Sequence, residues 1–148
     1  MLIARGQAAA VVTGGKIIVL GGFDGKSALD EVQVYQPNLD DGTQQPWSQA
    51  VALPQKRSRL AAASIADAIY VLGGTDGTPT GLPSLQYDPN NNRWMEIETP
   101  LSQPWTDLGM VAMGTKLYGL GGQISGVPTV KNLSYQAIYT IVLPIIRQ

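Results

Sequence analysis

Short apolar runs, each closed by paired glycines, recur along the chain with a fixed spacing. Lys16-Ile-Ile-Val-Leu-Gly-Gly22 returns as Ala68-Ile-Tyr-Val-Leu-Gly-Gly74 and again as Lys116-Leu-Tyr-Gly-Leu-Gly-Gly122. The first glycines stand at Gly21, Gly73 and Gly121, 52 and 48 residues apart, and a tyrosine follows each by 14 residues (Tyr35, Tyr87, Tyr135). Upstream, Ala8-Ala-Ala-Val-Val12 aligns without gaps to Leu60-Ala-Ala-Ala-Ser64 and Leu108-Gly-Met-Val-Ala112. A period near 50 residues is the mark of a repeat architecture. Within each copy the pattern predicts four short strands. The first (about 7–13, 59–65 and 107–113) is made of small residues and ends in a two-residue turn, Gly14-Gly15, Ala66-Asp67 or Gly114-Thr115. Such loops suit a tight hairpin. The second strand (16–20, 68–72, 116–120) is nearly all apolar, as a strand covered on both faces should be. A loop carrying Asp24-Gly25 or Asp76-Gly77 leads to a third strand that ends at the tyrosine, and a fourth begins at Trp47 or Trp94. No window carries a helical apolar stripe, so the expectation is all-β.

Strand, Gly-Gly, loop, then Tyr35-Gln-Pro37 or Tyr87-Asp-Pro89, then tryptophan, is a combination that resembles the kelch repeat. The resemblance spans essentially the whole chain. It implies three four-stranded antiparallel blades, about 5–54, 55–102 and 103–148, in one kelch-repeat domain that forms an open or partial β-propeller. The Ala-rich first strands would lie innermost, where blades converge. The paired glycines would let aromatic rings pack on bare backbone and would make positive φ available, and Tyr and Trp would fill the wider outer part of each wedge. The third copy departs from the pattern, because no tryptophan follows Tyr135. The run Tyr139-Thr-Ile-Val-Leu-Pro144 reads instead as a terminal cap strand.

Propellers close with four to eight blades, and kelch rings usually with about six. Three blades therefore leave two bare faces, each about 300 Å² from strand spacing and strand length. Two closures are expected. Either a second copy pairs head to tail to complete six blades, or the chain is the C-terminal half of a longer polypeptide with its other blades upstream.

Composition narrows the function classes. Ten basic and eleven acidic residues give a net charge of −1, without the basic face that a nucleic-acid binder needs. There is no Cys and no His. Disulfides, zinc ligation by these residues, thiol nucleophiles and Ser-His-Asp triads are thereby removed, and neither a metal nor a cofactor is expected. The longest apolar run, from Ala137 to Ile146, is about half of the roughly 20 residues a membrane helix needs. No signal peptide is readable, yet the sparse charge and the abundant Ser, Thr, Asn and Gln favour an extracellular or cell-surface setting.

Three motifs read as ordinary loops and strands. Gly21-Gly-Phe-Asp-Gly-Lys-Ser27 is one residue short of a phosphate-binding loop and precedes a strand. Asp88-Pro-Asn-Asn-Asn-Arg93 lacks the glycine and the distal acid of a calcium loop. Asn132-Leu-Ser134 fits a glycosylation triplet but falls in a predicted strand.

The candidate site is the rim where loops enter each first strand and leave each second one. The entering loops place Arg5 and Gln7, Arg57 and Arg59, and Trp105 and Asp107 at equivalent positions; the leaving loops add Phe23, Asp24, Lys26, Thr75, Asp76 and Gln123. Kelch domains that capture acidic peptides carry Arg-x-Arg before the first strand, and Arg57-Ser-Arg59 matches that pattern. The resemblance therefore implies a non-catalytic module that binds a protein or peptide, or a carbohydrate, through its rim loops. The alternatives are a repeat segment of a surface protein and the C-terminal fragment of a kelch-type enzyme acting on carbohydrate, similar to a sialic acid epimerase. In the last, Arg59 with Asp24 or Asp107 would supply acid and base.

Overall fold

The computed structural model describes residues 1–100 and 102–138. Each predicted small-residue strand pairs with the apolar strand after it through a two-residue turn. In the first blade, β1 (Ala9–Thr13) pairs with β2 (Lys16–Leu20) so that Ala9 faces Leu20 and Thr13 faces Lys16. β3 (Val32–Tyr35) and β4 (Trp47–Ala50) complete an antiparallel sheet in the order β1-β2-β3-β4. A 3₁₀ turn at Pro37–Leu39 lies between them. The second blade repeats the order with β5 (Ser58–Ile65), β6 (Ala68–Thr75), β7 (Ser84–Asp88) and β8 (Arg93–Ile97).

A short β9 (Trp105–Thr106) precedes the third blade, which is built from β10 (Gly109–Met113), β11 (Lys116–Leu120) and, later in the chain, β14 (Asn132–Gln136). Between β11 and β14, β12 (Gln123–Ile124) and β13 (Val127–Pro128) join β9 in a small rim sheet of order β13-β12-β9. The expected cap strand at 139–144 lies outside the described residues. The architecture is an all-β partial propeller.

The turn at Ala66-Asp67 shows what the repeat asks of its sequence. Both residues sit in the left-handed region, at φ +47° and +63°, as do Gly14 and Gly15 in the first blade. This is the hairpin geometry whose twist matches the flanking strands, and a residue with a Cβ costs about 1–2 kcal/mol there. Ala66→Gly is therefore expected to stabilise the domain by about 1 kcal/mol, read as a rise of a few degrees in the thermal midpoint. An unchanged or lower midpoint would contradict the strained-turn account.

The blades stack face to face. Alternate residues of the first blade (Ala9, Val11, Ile18, Leu20 and Val32) pack against Leu60, Ile69, Val71 and Leu85 of the second. The opposite side of the second blade carries Ala61, Ala63, Tyr70 and Leu72, which meet Trp105, Leu108 and Leu117. Every blade thus has a leading face toward the blade before it and a trailing face toward the blade after it.

Outward from the Ala-rich strands lie the aromatic pairs. Tyr35 faces Trp47 and Tyr87 faces Trp94 across adjacent strands, with ring centroids 5.0 and 5.1 Å apart. The Trp94 indole N–H also donates to the Val51 carbonyl at 3.1 Å, tying the outer edge of the second blade to the first.

The two glycines of each pair have different neighbours; all six take the positive φ expected from the sequence, but they are not packed against aromatic rings. A Cβ on the second glycine would meet the carbonyl oxygen of its own blade's entering loop: Gly6 at 2.8 Å from Gly22, Ser58 at 2.9 Å from Gly74, Thr106 at 2.4 Å from Gly122. A Cβ on the first glycine would meet a carbonyl of the following blade, Arg57 at 2.5 Å from Gly21 and Trp105 at 2.1 Å from Gly73. The close neighbours are backbone oxygens rather than aromatic rings. The glycines exist so that chain can lie on chain, and so that φ stays positive at each of them.

Candidate functional site

Each entering loop is bonded to the leaving loop beside it, so the rim is a set of paired segments. Gly6 and Phe23 exchange both backbone hydrogen bonds, at 3.0 and 2.8 Å. Ser58 faces Thr75, and Thr106 faces Gln123, in the same place of the other two blades.

One residue further on, the backbone at all three equivalent positions turns left-handed: Gln7 at φ +55°, Arg59 at +57° and Asp107 at +55°. Residues other than glycine rarely stand there. The reward is a ladder across the blade boundaries. The Arg59 N–H donates to the Gln7 carbonyl at 2.8 Å, and the Asp107 N–H donates to the Arg59 carbonyl at 3.0 Å. A local strain repeated three times in register, each time beside an inter-blade bond, is a built feature of the inner rim.

Two residues before each of these stands a side chain with the opposite task. Arg57 is fully buried, and its guanidinium donates to the Gly73 carbonyl at 3.2 Å and the Pro83 carbonyl at 3.0 Å. Arg5 does the same to Gly21 and Glu31 at 2.7 and 2.8 Å. In the third blade the indole N–H of buried Trp105 donates to the Gly121 carbonyl at 2.6 Å, and Lys131 lies over its ring. All three are staples that hold the first glycine's carbonyl. Burial pushes the Arg57 pKa down to about 10, against the opposing pull of Asp76 and Glu96, so the group is charged at neutral pH. Of the Arg-x-Arg pair, then, Arg57 points into the blade and Arg59 out to solvent.

Arg59 and Asp107 come together across the second blade boundary. The Arg59 Nε donates to both carboxylate oxygens at 3.0 Å, one terminal nitrogen also pairs with the carboxylate, and that nitrogen reaches Gln123 Oε1 at 3.3 Å. The side chains are 34% and 39% exposed. Asp107 raises the pKa of Arg59 by hydrogen bonding to it. Beside them opens a cleft of about 350 Å³ lined by Arg59, Thr75, Thr78, Ser125 and Gly126.

Between the first blade's own entering and leaving loops, Arg5, Gln7, Phe23 and Asp24 line a second shallow cleft. Asp24 and Asp76 mainly shape their own loops. Asp24 Oδ1 accepts the Ser27 and Lys26 N–H groups, both at 2.8 Å, and these bonds lower its pKa. Asp76 Oδ1 accepts from the Thr78 hydroxyl and N–H and is lowered likewise. Asp88 spends its oxygens on Asn90 and Asn91, which accounts for the loop that glances at a calcium site.

Sequence reasoning missed Ser125, Gly126 and the rim sheet that presents them. Its signal was there, since Ser125-Gly126 is a two-residue turn dipeptide and both residues are left-handed.

Comparison with known proteins gives a consistent picture. A sequence model described as the Kelch motif matches residues 4–40 and 56–101, more than half of the chain and its first two copies. The chain is 37% identical over 102 residues to Kelch-like protein 33 of Homo sapiens, covering 68% of this chain and 18% of that one. It is 28% identical over 116 residues to Kelch-like protein 35 of Mus musculus, covering 78% and 19%. With Kelch-like protein 6 of Homo sapiens the identity is 39% over 72 residues, covering 49% and 11%. The chain spans about a fifth or less of the length of these relatives.

Proposed function

The chain belongs to the kelch-repeat family, and from that premise we propose that it is a non-catalytic binding module that takes a peptide segment of a protein partner at its inner rim. The observation that carries the reading is the Arg59–Asp107–Gln123 cluster, with Arg59 and Asp107 on left-handed backbone at a blade boundary, open to solvent beside a polar cleft. Such a cluster offers a fixed cation, a fixed anion and an amide within a few ångströms. A peptide that brings a carboxylate to Arg59 and a donor to Asp107 or Gln123 satisfies all of them, with charge-assisted bonds about twice as strong as neutral ones. The hydroxyls of Thr75, Thr78 and Ser125 supply adaptable partners along the cleft.

The same pairing weighs against the carbohydrate-acting alternative, because an acid/base pair must be free to move protons and Arg59 and Asp107 are engaged with each other. The test is a screen of short peptides that mix acidic and basic side chains, with affinities of the best binders measured by fluorescence polarisation. Arg59→Ala and Asp107→Ala are each expected to weaken binding at least tenfold, about 1.4 kcal/mol, while Lys16→Ala, far from the rim, leaves it unchanged. Binders indifferent to both rim variants, or capture of glycans in place of peptides, would overturn the reading.

A further inference from the structure

The two boundaries between blades are packed from matching positions, and one is filled where the other is open. At the second boundary the buried Tyr70 has its ring centroid 6.1 Å from that of Tyr135, and Ile97 packs against the same cluster. The Tyr70 hydroxyl donates to the Ala137 carbonyl at 3.5 Å. The space left there is only about 20 Å³. At the first boundary Ile18 takes the place of Tyr70, and Ala50 takes the place of Ile97. A cavity of about 290 Å³ remains between the blades. Trp94, which has no counterpart after Tyr135, lines this cavity without filling it. Two large-to-small differences on one face leave a hole because the packed strands around them relax only in part.

The walls of the cavity keep what a tyrosine in the place of Ile18 would touch. Ile18, Val32 and Ala50 line it from the first blade, and Ile69, Tyr87 and Trp94 line it from the second. Tyr87 stands where Tyr135 stands, so the ring that Tyr70 meets has its counterpart here. Pro89, also in the lining, holds the place of Ala137, the residue whose carbonyl accepts from Tyr70. The first boundary thus lacks the phenol side chain and retains its partners. At the turn end of the cavity stand Lys16 and Asp67, of opposite charge, with the Thr13 hydroxyl donating to the Asp67 carboxylate at 3.2 Å. That end therefore has no net sign with which to draw a charged ligand.

We propose that this cavity is a binding site for a small neutral phenol, a single aromatic ring with one hydroxyl, seated between the blades as the Tyr70 side chain is. The ring packs against Tyr87 and Trp94, whose own centroids are 5.1 Å apart, and the hydroxyl donates toward the Pro89 carbonyl. Aromatic rings add tilted or offset contacts to the area they bury. An apolar cavity left where a side chain is missing takes an aromatic guest of matching size. The volume lies at the lower end of small-molecule sites, about 300–1,000 Å³, and suits one ring. A mostly apolar wall with few polar anchors is the usual makeup of such sites. Both walls belong to this chain, at the turn end of the strands and away from the rim loops, so the inference is independent of the peptide reading.

The experiment is a titration of the chain with p-cresol, the tyrosine side chain as a free molecule, followed by NMR at the Trp94 indole N–H, with Trp94→Phe assigning that signal. The expected result is a saturable shift with a dissociation constant of about 0.1–1 mM, within the bounds for a ligand of about eight non-hydrogen atoms. Ile18→Tyr restores the ring that the second boundary has and is expected to abolish the saturable shift. Ala50→Ile restores the other side chain and is expected to weaken binding about fivefold. Ala50 is exposed, so this second variant keeps its fold and decides the matter if circular dichroism shows Ile18→Tyr to be unfolded. N-acetyltyrosinamide, which carries the same ring on main chain that must stay outside, is expected to bind at least tenfold more weakly than p-cresol. Absence of a saturable shift up to about 10 mM p-cresol would overturn the proposal. So would unchanged affinity in the folded variants. Capped tyrosine binding as tightly as p-cresol would also overturn it, by making the guest a polypeptide side chain in place of a free phenol.

Discussion

Gly73→Val is expected to leave the chain largely unfolded at room temperature. The new Cβ would lie 2.1 Å from the Trp105 carbonyl oxygen and 3.0 Å from Leu108 Cδ2, at a residue whose φ is +67°. The first obstacle is backbone of the neighbouring blade, which cannot swing aside as a side chain end can. A branched residue is also among the least able to adopt a positive φ. Either the blades part or the strand leaves its register, and both routes lose more than about 4 kcal/mol, most of a small domain's stability. The internal control is Gly121→Ala, at φ +62° but with nothing described closer than 3.9 Å. There only the conformational strain remains, about 1–2 kcal/mol. Urea unfolding of the two variants beside the parent separates them. Equal losses would mean that the first glycine answers to its own turn and not to the next blade.

Arg57→Ala is expected to lower stability by about 3 kcal/mol, while Arg59→Ala, two residues on, changes it by less than about 1 kcal/mol. The two arginines look alike in the sequence and differ in what surrounds them. Removing Arg57 leaves the buried Gly73 carbonyl and the half-buried Pro83 carbonyl without this donor, at about 1–3 kcal/mol for the buried one and less for the other. It also opens a hole the size of the side chain. Part of the loss is returned because a desolvated cation no longer has to be held inside. Arg59 is exposed and its ion pair with Asp107 is solvated, so its loss falls in the range of surface pairs. Chemical unfolding midpoints measure both. Matching losses at 57 and 59, or a larger loss at 59, would reverse the assignment of staple and rim residue. The pair also separates stability from recognition, since Arg59→Ala is a variant expected to weaken peptide binding at least tenfold.

Much of the rim was legible before any coordinates. Equivalence by repeat placed Gln7, Arg59 and Asp107 at one position, and the structure finds all three at the same left-handed φ. What position alone did not separate was the direction of neighbouring side chains. Arg5, Arg57 and Trp105 occupy another shared position, and nothing in a one-dimensional pattern says that it faces inward to a glycine carbonyl. An arginine there reads as a solvent-facing charge, because burying one is unfavourable unless its donors find acceptors; the acceptors that one terminal nitrogen of Arg57 finds are backbone groups 16 and 26 residues away, and its Nε and other terminal nitrogen have none among the described residues. The third blade held the clue, since Trp105 makes the same bond with an uncharged ring.

The sequence by itself determined the repeat, the strands that recur in each blade, and the family, but not the rim sheet of β9, β12 and β13. A period near 50, an apolar strand of five residues and a turn dipeptide are local or nearest-neighbour signals, and in a repeat protein each unit contacts only its neighbours. Tertiary structure alone decided which face of each strand is covered, which of two arginines is a staple, and why there are two glycines and not one. Those depend on backbone from the adjacent blade arriving within hydrogen-bonding or van der Waals distance. Gly21, Gly73 and Gly121 are identical as letters and left-handed alike, but the first two have a carbonyl of the next blade within 2.5 Å of a Cβ, whereas around the third the nearest atom among the described residues is the Thr129 oxygen at 3.9 Å.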